Sequence, residues 1–208
     1  MCLSQFLVIP DALSPTEVAE CTAASEKVHS CKEFVTKQLG QQGPPGERNG
    51  ENRHTGEGLL DCWRQLDNVF ECEHGRCFEP LIDHPSVIEK VRALFGETFI
   101  LHSSWNTMVP AHSKGGGFHQ DGTGSYDFKM MGNANGLAGN GGPTPLVQLR
   151  IGFVLTDLSE PNVGNLVLVP GSHNTRMQLP PGLTPDELPI AQEVCAKPGT
   201  AIMFHQGR

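Results

Sequence analysis

The apolar positions of this chain fall into two textures. In the first half, Phe6-Leu-Val-Ile-Pro10 reads as a short strand. Ser14-Pro15-Thr16-Glu17 follows, with Ser14 placed as an N-cap, Pro15 as the first helical residue and Glu17 as the N3 partner of a capping box. Val18, Cys21, Thr22, Ser25 and Val28 then recur at helical spacing, which predicts a helix laying a modest apolar stripe on a core. A second helix is expected over Ser86 to Phe95: Ser86 and Glu89 have capping-box spacing, Val87, Val91 and Leu94 supply an inner face, and Gly96 ends it. From Thr98 onward the pattern changes to short β-like runs, Phe99 to Val109, Leu146 to Leu155, Leu166 to Val169 and Ala201 to Phe204. Along the first of these, alternation sends Ser103, Trp105 and Thr107 to one face and His102, Ser104 and Asn106 to the other.

Between these runs the chain is rich in turn formers, with 24 Gly and 16 Pro among 208 residues. Residues 40–58 hold six of those glycines and two of the prolines and almost no apolar side chains, so they are expected to form a flexible loop. A glycine-rich stretch at 122–145, carrying Tyr126, Phe128, Met130 and Met131, is either a lid over a substrate or a solvated excursion. No internal repeat or heptad is present. The length suits one domain, residues 1–208, and two helices ahead of a strand-rich half argue for a mainly β fold with N-terminal helices, a helix-decorated antiparallel sandwich or jelly roll.

Charge narrows the partners. The net charge is −8 and no run of Lys or Arg could track a phosphate backbone, so nucleic acid is not an expected partner. The longest apolar stretches are far shorter than the roughly 20 residues that span a bilayer, and the N-terminus MCLSQFLVIP lacks the basic flank and long apolar segment of a secretory signal. Seven cysteines (2, 21, 31, 62, 72, 77 and 195), an odd number without a regular framework, suggest reduced thiols and a cytoplasmic location. Cys62, Cys72, His74 and Cys77 invite a zinc reading, but a second tight pair is lacking, so thiols in a connecting loop are expected instead.

The segment with the most chemistry is Gly117-Phe118-His119-Gln120-Asp121-Gly122. In an extended strand, residues i and i+2 share a face, so His119 and Asp121 offer an imidazole nitrogen and a carboxylate to one point. One further histidine would complete the 2-His-1-carboxylate set that leaves open positions on Fe(II). By itself the pattern also fits a plain His–Asp hydrogen bond at a strand end. Arg150, among the apolar neighbours of Val147 to Phe153, either faces a carboxylate in a site or lies on an outer face in a salt bridge.

Downstream stand "LTDLSEPNVGNLVLVPGSH", ending at His173, and "KPGTAIMFHQG", containing His205. Together with His119-x-Asp121-Gly122, this ordered set resembles the phytanoyl-CoA dioxygenase family of Fe(II)- and 2-oxoglutarate-dependent oxygenases, and the likeness starts near Phe6. The resemblance implies a double-stranded β-helix, that is, a jelly roll with the metal at its mouth. It implies His119 and Asp121 as iron ligands, and 2-oxoglutarate and O₂ as co-substrates. The reaction would hydroxylate a small organic substrate while 2-oxoglutarate is decarboxylated to succinate. Because Asp121 fills the coordination position that halogenating relatives leave for chloride, hydroxylation is the implied chemistry. Ser103 and Thr107 correspond to strand positions that help to hold 2-oxoglutarate, and Arg150 is a further candidate for its carboxylate. In the family the histidine at the position of His173 looks structural, and the second metal histidine lies about five residues beyond one placed like His205, past Arg208. The arginine that grips 2-oxoglutarate comes later still. The expectation is therefore a C-terminally incomplete chain, with His205 as the substitute third ligand or as a buried, hydrogen-bonded histidine. The terminal Gln-Gly-Arg is not a peroxisomal address.

Two other classes stay open at this level. One is a jelly-roll protein without catalysis, either a binding module or an inactive truncated isoform. The other is a zinc- or manganese-containing cupin-like isomerase. The sequence assigns neither the substrate nor an oligomeric state.

Overall fold

The computed structural model describes residues 6–41, 64–109, 148–172 and 188–205. The chain divides into two compact units, one of Met1–Asp11 with Gly117–Arg208 and the other of Ala12–Gly116.

The Ala12–Gly116 unit is built on helices. Helix α1, Pro15–Ser30, starts as its sequence requires: the Ser14 side chain accepts the Glu17 N–H at 3.3 Å, and the Glu17 carboxylate accepts the Ser14 N–H at 2.7 Å. Cys21, Ala24, Val28 and His29 form its buried face. Cys31 then leaves helical geometry, with ψ at 93°, and its carbonyl accepts the Val35 N–H at 2.9 Å, which starts α2, Lys32–Gln41. Helix α2 is absent from the expectation, because no capping side chain announces it and its buried Phe34, Val35 and Gln38 mix one polar residue into a short stripe. It also takes Gly40 and Gln41 from the loop expected at 40–58, whose remaining residues lie outside the described set, as does the stretch 122–145.

A two-stranded antiparallel ribbon follows from β2, Arg64–Asp67, and β3, Trp105–Met108, with Leu66 opposite Asn106 and Gln65 opposite Thr107. Two short 3₁₀ segments, Val69–Glu71 and Glu73–Leu81, pack together, and the second also packs on α1. Cys72 and Cys77 therefore stand on packed structure and not in a loose connecting loop, Cys72 being buried. Helix α3, Pro85–Phe95, differs from its expectation at the start. Its N-cap is His84, whose side chain accepts the Ser86 N–H, and Pro85 occupies the first turn, where its fixed φ and missing N–H cost nothing. Glu89 is thereby freed from a capping role and pairs with Arg92 at 2.6 Å. The inner face is Val87, Ile88 and Val91, while Leu94, in the last turn, is 39% exposed. Gly96 ends it as expected, at φ 77° with its N–H on the Arg92 carbonyl.

The other unit is antiparallel sheet. β1, Phe6–Ile9, β7, Ala201–His205, and β4, Leu149–Phe153, form a three-stranded sheet with β7 in the middle. β5, Leu166–Leu168, and β6, Gln192–Val194, form a separate two-stranded ribbon. Directly opposed residues on paired strands share a face. One face of the larger sheet thus carries Phe6, Val8, Arg150, Gly152, Ile202 and Phe204, and the other carries Leu7, Ile9, Leu149, Ile151, Phe153, Ala201, Met203 and His205. The first face packs onto the ribbon through a core of Val154, Val194, Ala196 and Ile202, joined by Phe6, Val8, Leu158, Leu166, Leu168 and Phe204. The described residues are thus mixed helix and antiparallel strand, without a closed barrel, and helix outweighs strand in them. The mainly β expectation is coarser than the fold because α2 and the 3₁₀ segments carry no strong periodic signal.

Candidate active site

Two proline-glycine turns set the strands of the second-half motif. In Lys197-Pro198-Gly199-Thr200 the Thr200 N–H returns to the Lys197 carbonyl at 3.2 Å, with Gly199 at φ 86°. In Val169-Pro170-Gly171-Ser172 the Ser172 N–H returns to the Val169 carbonyl at 3.1 Å, with Gly171 at φ 81°. Both fit a type II turn, in which Pro presets the second position and only a residue tolerant of positive φ suits the third. The first turn is locked to β4 by the Gly199 N–H on the Val154 carbonyl at 2.8 Å and the Val154 N–H on the Thr200 carbonyl at 2.9 Å. β7 leaves it directly, so the turn fixes which of its residues point to which face.

Other polar residues of the motif also serve turns. The Asp157 carboxylate accepts the Ser159 N–H at 2.9 Å and its hydroxyl, and these bonds hold the carboxyl below its ordinary value. The Asn165 amide donates to the Leu158 carbonyl at 2.9 Å, and the Asn162 N–H, in the left-handed region at φ 62°, donates to Glu193 at 2.8 Å. Much of the motif's regularity is therefore the requirement of a tight two-strand corner.

His205 ends β7 opposite Leu149 and is buried, at 7% exposure, on the face shared with Met203 and Ile151. Arg150 lies opposite Phe204 on the other face, its guanidinium 5.8 Å from the Phe204 ring centroid. His205 and Arg150 thus project to opposite sides of one sheet. The pairing of Arg150 with Phe204 has no local signal in the sequence, since it arises from the cross-strand register.

Ser103 and Thr107 stand in the helical unit. Thr107 is exposed on β3, and Ser103 is half-buried, its hydroxyl 3.2 Å from His102 Nδ1. Their neighbour Asn106 points to the opposite face, as alternation predicts, and is buried at 9% exposure. There its Oδ1 accepts Ser25 Oγ and His29 Nε2, each at 2.8 Å, tying β3 to α1. His119, Asp121 and His173 lie outside the described residues. Among the described residues no three His, Cys, Asp or Glu side chains come together as a metal site. The donor set of His119 and Asp121, one imidazole nitrogen and one carboxylate oxygen, suits a divalent iron with open positions.

A family model described as phytanoyl-CoA dioxygenase (PhyH) matches residues 6–207. The match includes both turn motifs, β1 and the His119-x-Asp121 segment. No curated protein matches the chain significantly.

Proposed function

The chain belongs to the phytanoyl-CoA dioxygenase family, and from that premise we propose that it is an Fe(II)- and 2-oxoglutarate-dependent dioxygenase hydroxylating a small organic substrate on a double-stranded β-helix. Family members are in general oxygenases of this type. The observation that carries the reading is the family match over nearly the whole chain with His119 and Asp121 inside it. No described helix is long and apolar enough to cross a membrane. Free thiols at Cys21, Cys31, Cys72, Cys77 and Cys195 favour a cytoplasmic setting.

In this reading His119 and Asp121 hold the iron, which when bound supplies the activation of O₂ coupled to decarboxylation of 2-oxoglutarate. The protein's own work is to orient the co-substrate and the reacting carbon and to exclude water. Arg150 stands on the face of the sheet opposite His205, and Ser103 and Thr107 belong to the other unit, so none of the three is assigned to a site with His205. His205 is the histidine the chain itself could contribute as a third nitrogen.

The test is an anaerobic titration with Fe(II) and 2-oxoglutarate, followed through the weak visible charge-transfer band of the ternary complex. The band is expected for the parent chain and for His173→Ala, and is lost in His119→Ala and Asp121→Ala. Its loss in His205→Ala as well, with folding intact by circular dichroism, assigns the third ligand to His205; its persistence there removes that role. Absence of any band, with no succinate formed, would leave a non-catalytic binding module as the reading to adopt.

A further inference from the structure

Gly152 is a strand glycine that the backbone around it does not call for. It stands inside β4, where a β-branched or aromatic residue would hold a strand better. The ordinary reasons for a glycine there fail one by one. Its φ is not in the left-handed region, unlike those of Gly96, Gly164, Gly171 and Gly199. The ladder runs without a bulge from Leu149 opposite His205 to Phe153 opposite Ala201. No described atom lies within 4 Å of the point a Cβ would occupy, so no close approach demands the missing side chain. The glycine is exposed, although its cross-strand partner Ile202 and, two residues on, Val154 are both buried in the sheet–ribbon core. The result is a slot one side chain wide in an otherwise packed face.

The rim of the slot gives it a chemistry. One way a sheet covers a bare strand glycine is with an aromatic ring from the neighbouring strand. On this face of β7 the aromatic residue is Phe204, and it lies under the Arg150 guanidinium, 5.8 Å from the ring centroid. The Arg150–Phe204 pair is the next same-face pair along the ladder from Gly152–Ile202, a step of about 6.8 Å. A guanidinium is planar, always charged and carries five N–H donors in a fork, so it can keep one partner and still grip a carboxylate. The slot therefore has apolar walls at Ile202 and Val154 and a cation at one end.

We propose that the slot over Gly152 binds a planar aromatic ring bearing a carboxylate, with the ring on the glycine backbone and the carboxylate on Arg150. Gly152 sets the specificity, because any side chain there takes the place of the ring. An aliphatic chain would use the apolar walls but not the flat backbone, and a neutral ring would leave the guanidinium unused. The site belongs to this sheet face alone and is independent of the iron reading.

The probe is cinnamate, a phenyl ring joined to a carboxylate by a planar two-carbon link, titrated calorimetrically into the full chain without added metal. Saturable binding is expected, weaker by about tenfold for cinnamamide, which lacks the charge, and for 3-cyclohexylpropanoate, which lacks the flat ring. Gly152→Val fills the slot with a residue suited to a strand, so its urea midpoint should equal or exceed the parent's while cinnamate binding is lost. Gly152→Ala, a smaller step, should weaken binding with an unchanged circular dichroism spectrum. Arg150→Lys keeps the charge without the fork and should weaken binding by about tenfold. Unchanged cinnamate binding in both Gly152 variants, or no binding to the parent chain, overturns the slot. Equal binding of octanoate or 3-cyclohexylpropanoate overturns the aromatic ring, and equal binding of cinnamamide overturns the carboxylate. Displacement of cinnamate by 2-oxoglutarate makes this a co-substrate site and overturns the proposal as a whole.

Discussion

His84 and Glu17, far apart in sequence, are hydrogen-bonded at 3.1 Å between His84 Nε2 and a Glu17 carboxylate oxygen. Each residue also begins a helix. Glu17 completes the capping box of α1, and His84 Nδ1 accepts from the Ser86 hydroxyl at 2.8 Å and from its N–H at the start of α3. Because Nδ1 accepts, Nε2 carries the hydrogen it gives to Glu17. One imidazole thus links two helix starts, and both helices depend on a residue outside themselves.

The Glu17 carboxyl is lowered to about 2, first by the Ser14 side-chain and backbone hydrogen bonds and then by His84. A carboxyl depressed in the folded state adds stability above its ordinary value, and this is lost as pH falls through the folded one. The contribution should therefore fade between about 4.5 and about 2. Urea midpoints measured across that range should fall less steeply for Glu17→Gln than for the parent chain. Equal slopes would mean that Glu17 is not the titrating group.

Replacing His84 tests the cap of α3 directly. His84→Ala removes the N-cap acceptor and the contact to Glu17, with an expected cost of about 1–2 kcal/mol in chemical denaturation. His84→Asn restores an N-cap acceptor but is too short to reach Glu17, so it should recover only part of the loss. Ser86→Ala keeps the Ser86 N–H and should cost less than His84→Ala, which would not hold if Ser86 itself were the cap.

Asn106 carries the polar link between β3 and α1. Asn106→Ala strands two buried or half-buried donors, Ser25 Oγ and His29 Nε2, and should cost about 2–3 kcal/mol. Ser25→Ala leaves His29 bonded and should cost about 1 kcal/mol. The difference is read from paired urea curves, and the double variant Ser25→Ala/Asn106→Ala should be less destabilised than the sum of the two singles.

Met203 and Ile100 separate a core position from a surface one. Met203 is fully buried at the centre of β7, and Met203→Ala should lose about 2–5 kcal/mol. Ile100 is 85% exposed, and Ile100→Ala should stay within about 0.5 kcal/mol of the parent. Thermal melts are sufficient to tell these outcomes apart.

Local signals account for much of the architecture. The capping box at Ser14 and Glu17, the β1 and β5 runs, the end of α3 at Gly96 and the alternation that hides Asn106 all appear where nearest-neighbour chemistry places them. At α3 two local signals competed, and Pro85 prevailed over the Ser86/Glu89 spacing because a proline ring is already shaped for the first turn. The run Phe99 to Val109 narrows to Trp105–Met108, since a strand extends only as far as a partner is present, and β2 pairs with four residues alone. β2 and β6 were missed for the same reason: neither has an apolar run of its own, and pairing makes them strands.

The candidate site divides along the same line. Residue chemistry alone marks His119 and Asp121 as ligand types at strand spacing, and the family match contains them. Sequence also determines the Pro-Gly turns, because they rest on the φ preferences of two adjacent residues. Only the tertiary structure decides that Arg150 stands over Phe204 while His205 turns to the opposite face, that His84 reaches Glu17, and that Asn106 ties β3 to α1. Turns and caps are local because backbone torsions and hydrogen bonds between near neighbours set them. Register and cross-element contacts depend on how whole strands and helices pair, which a linear reading does not contain.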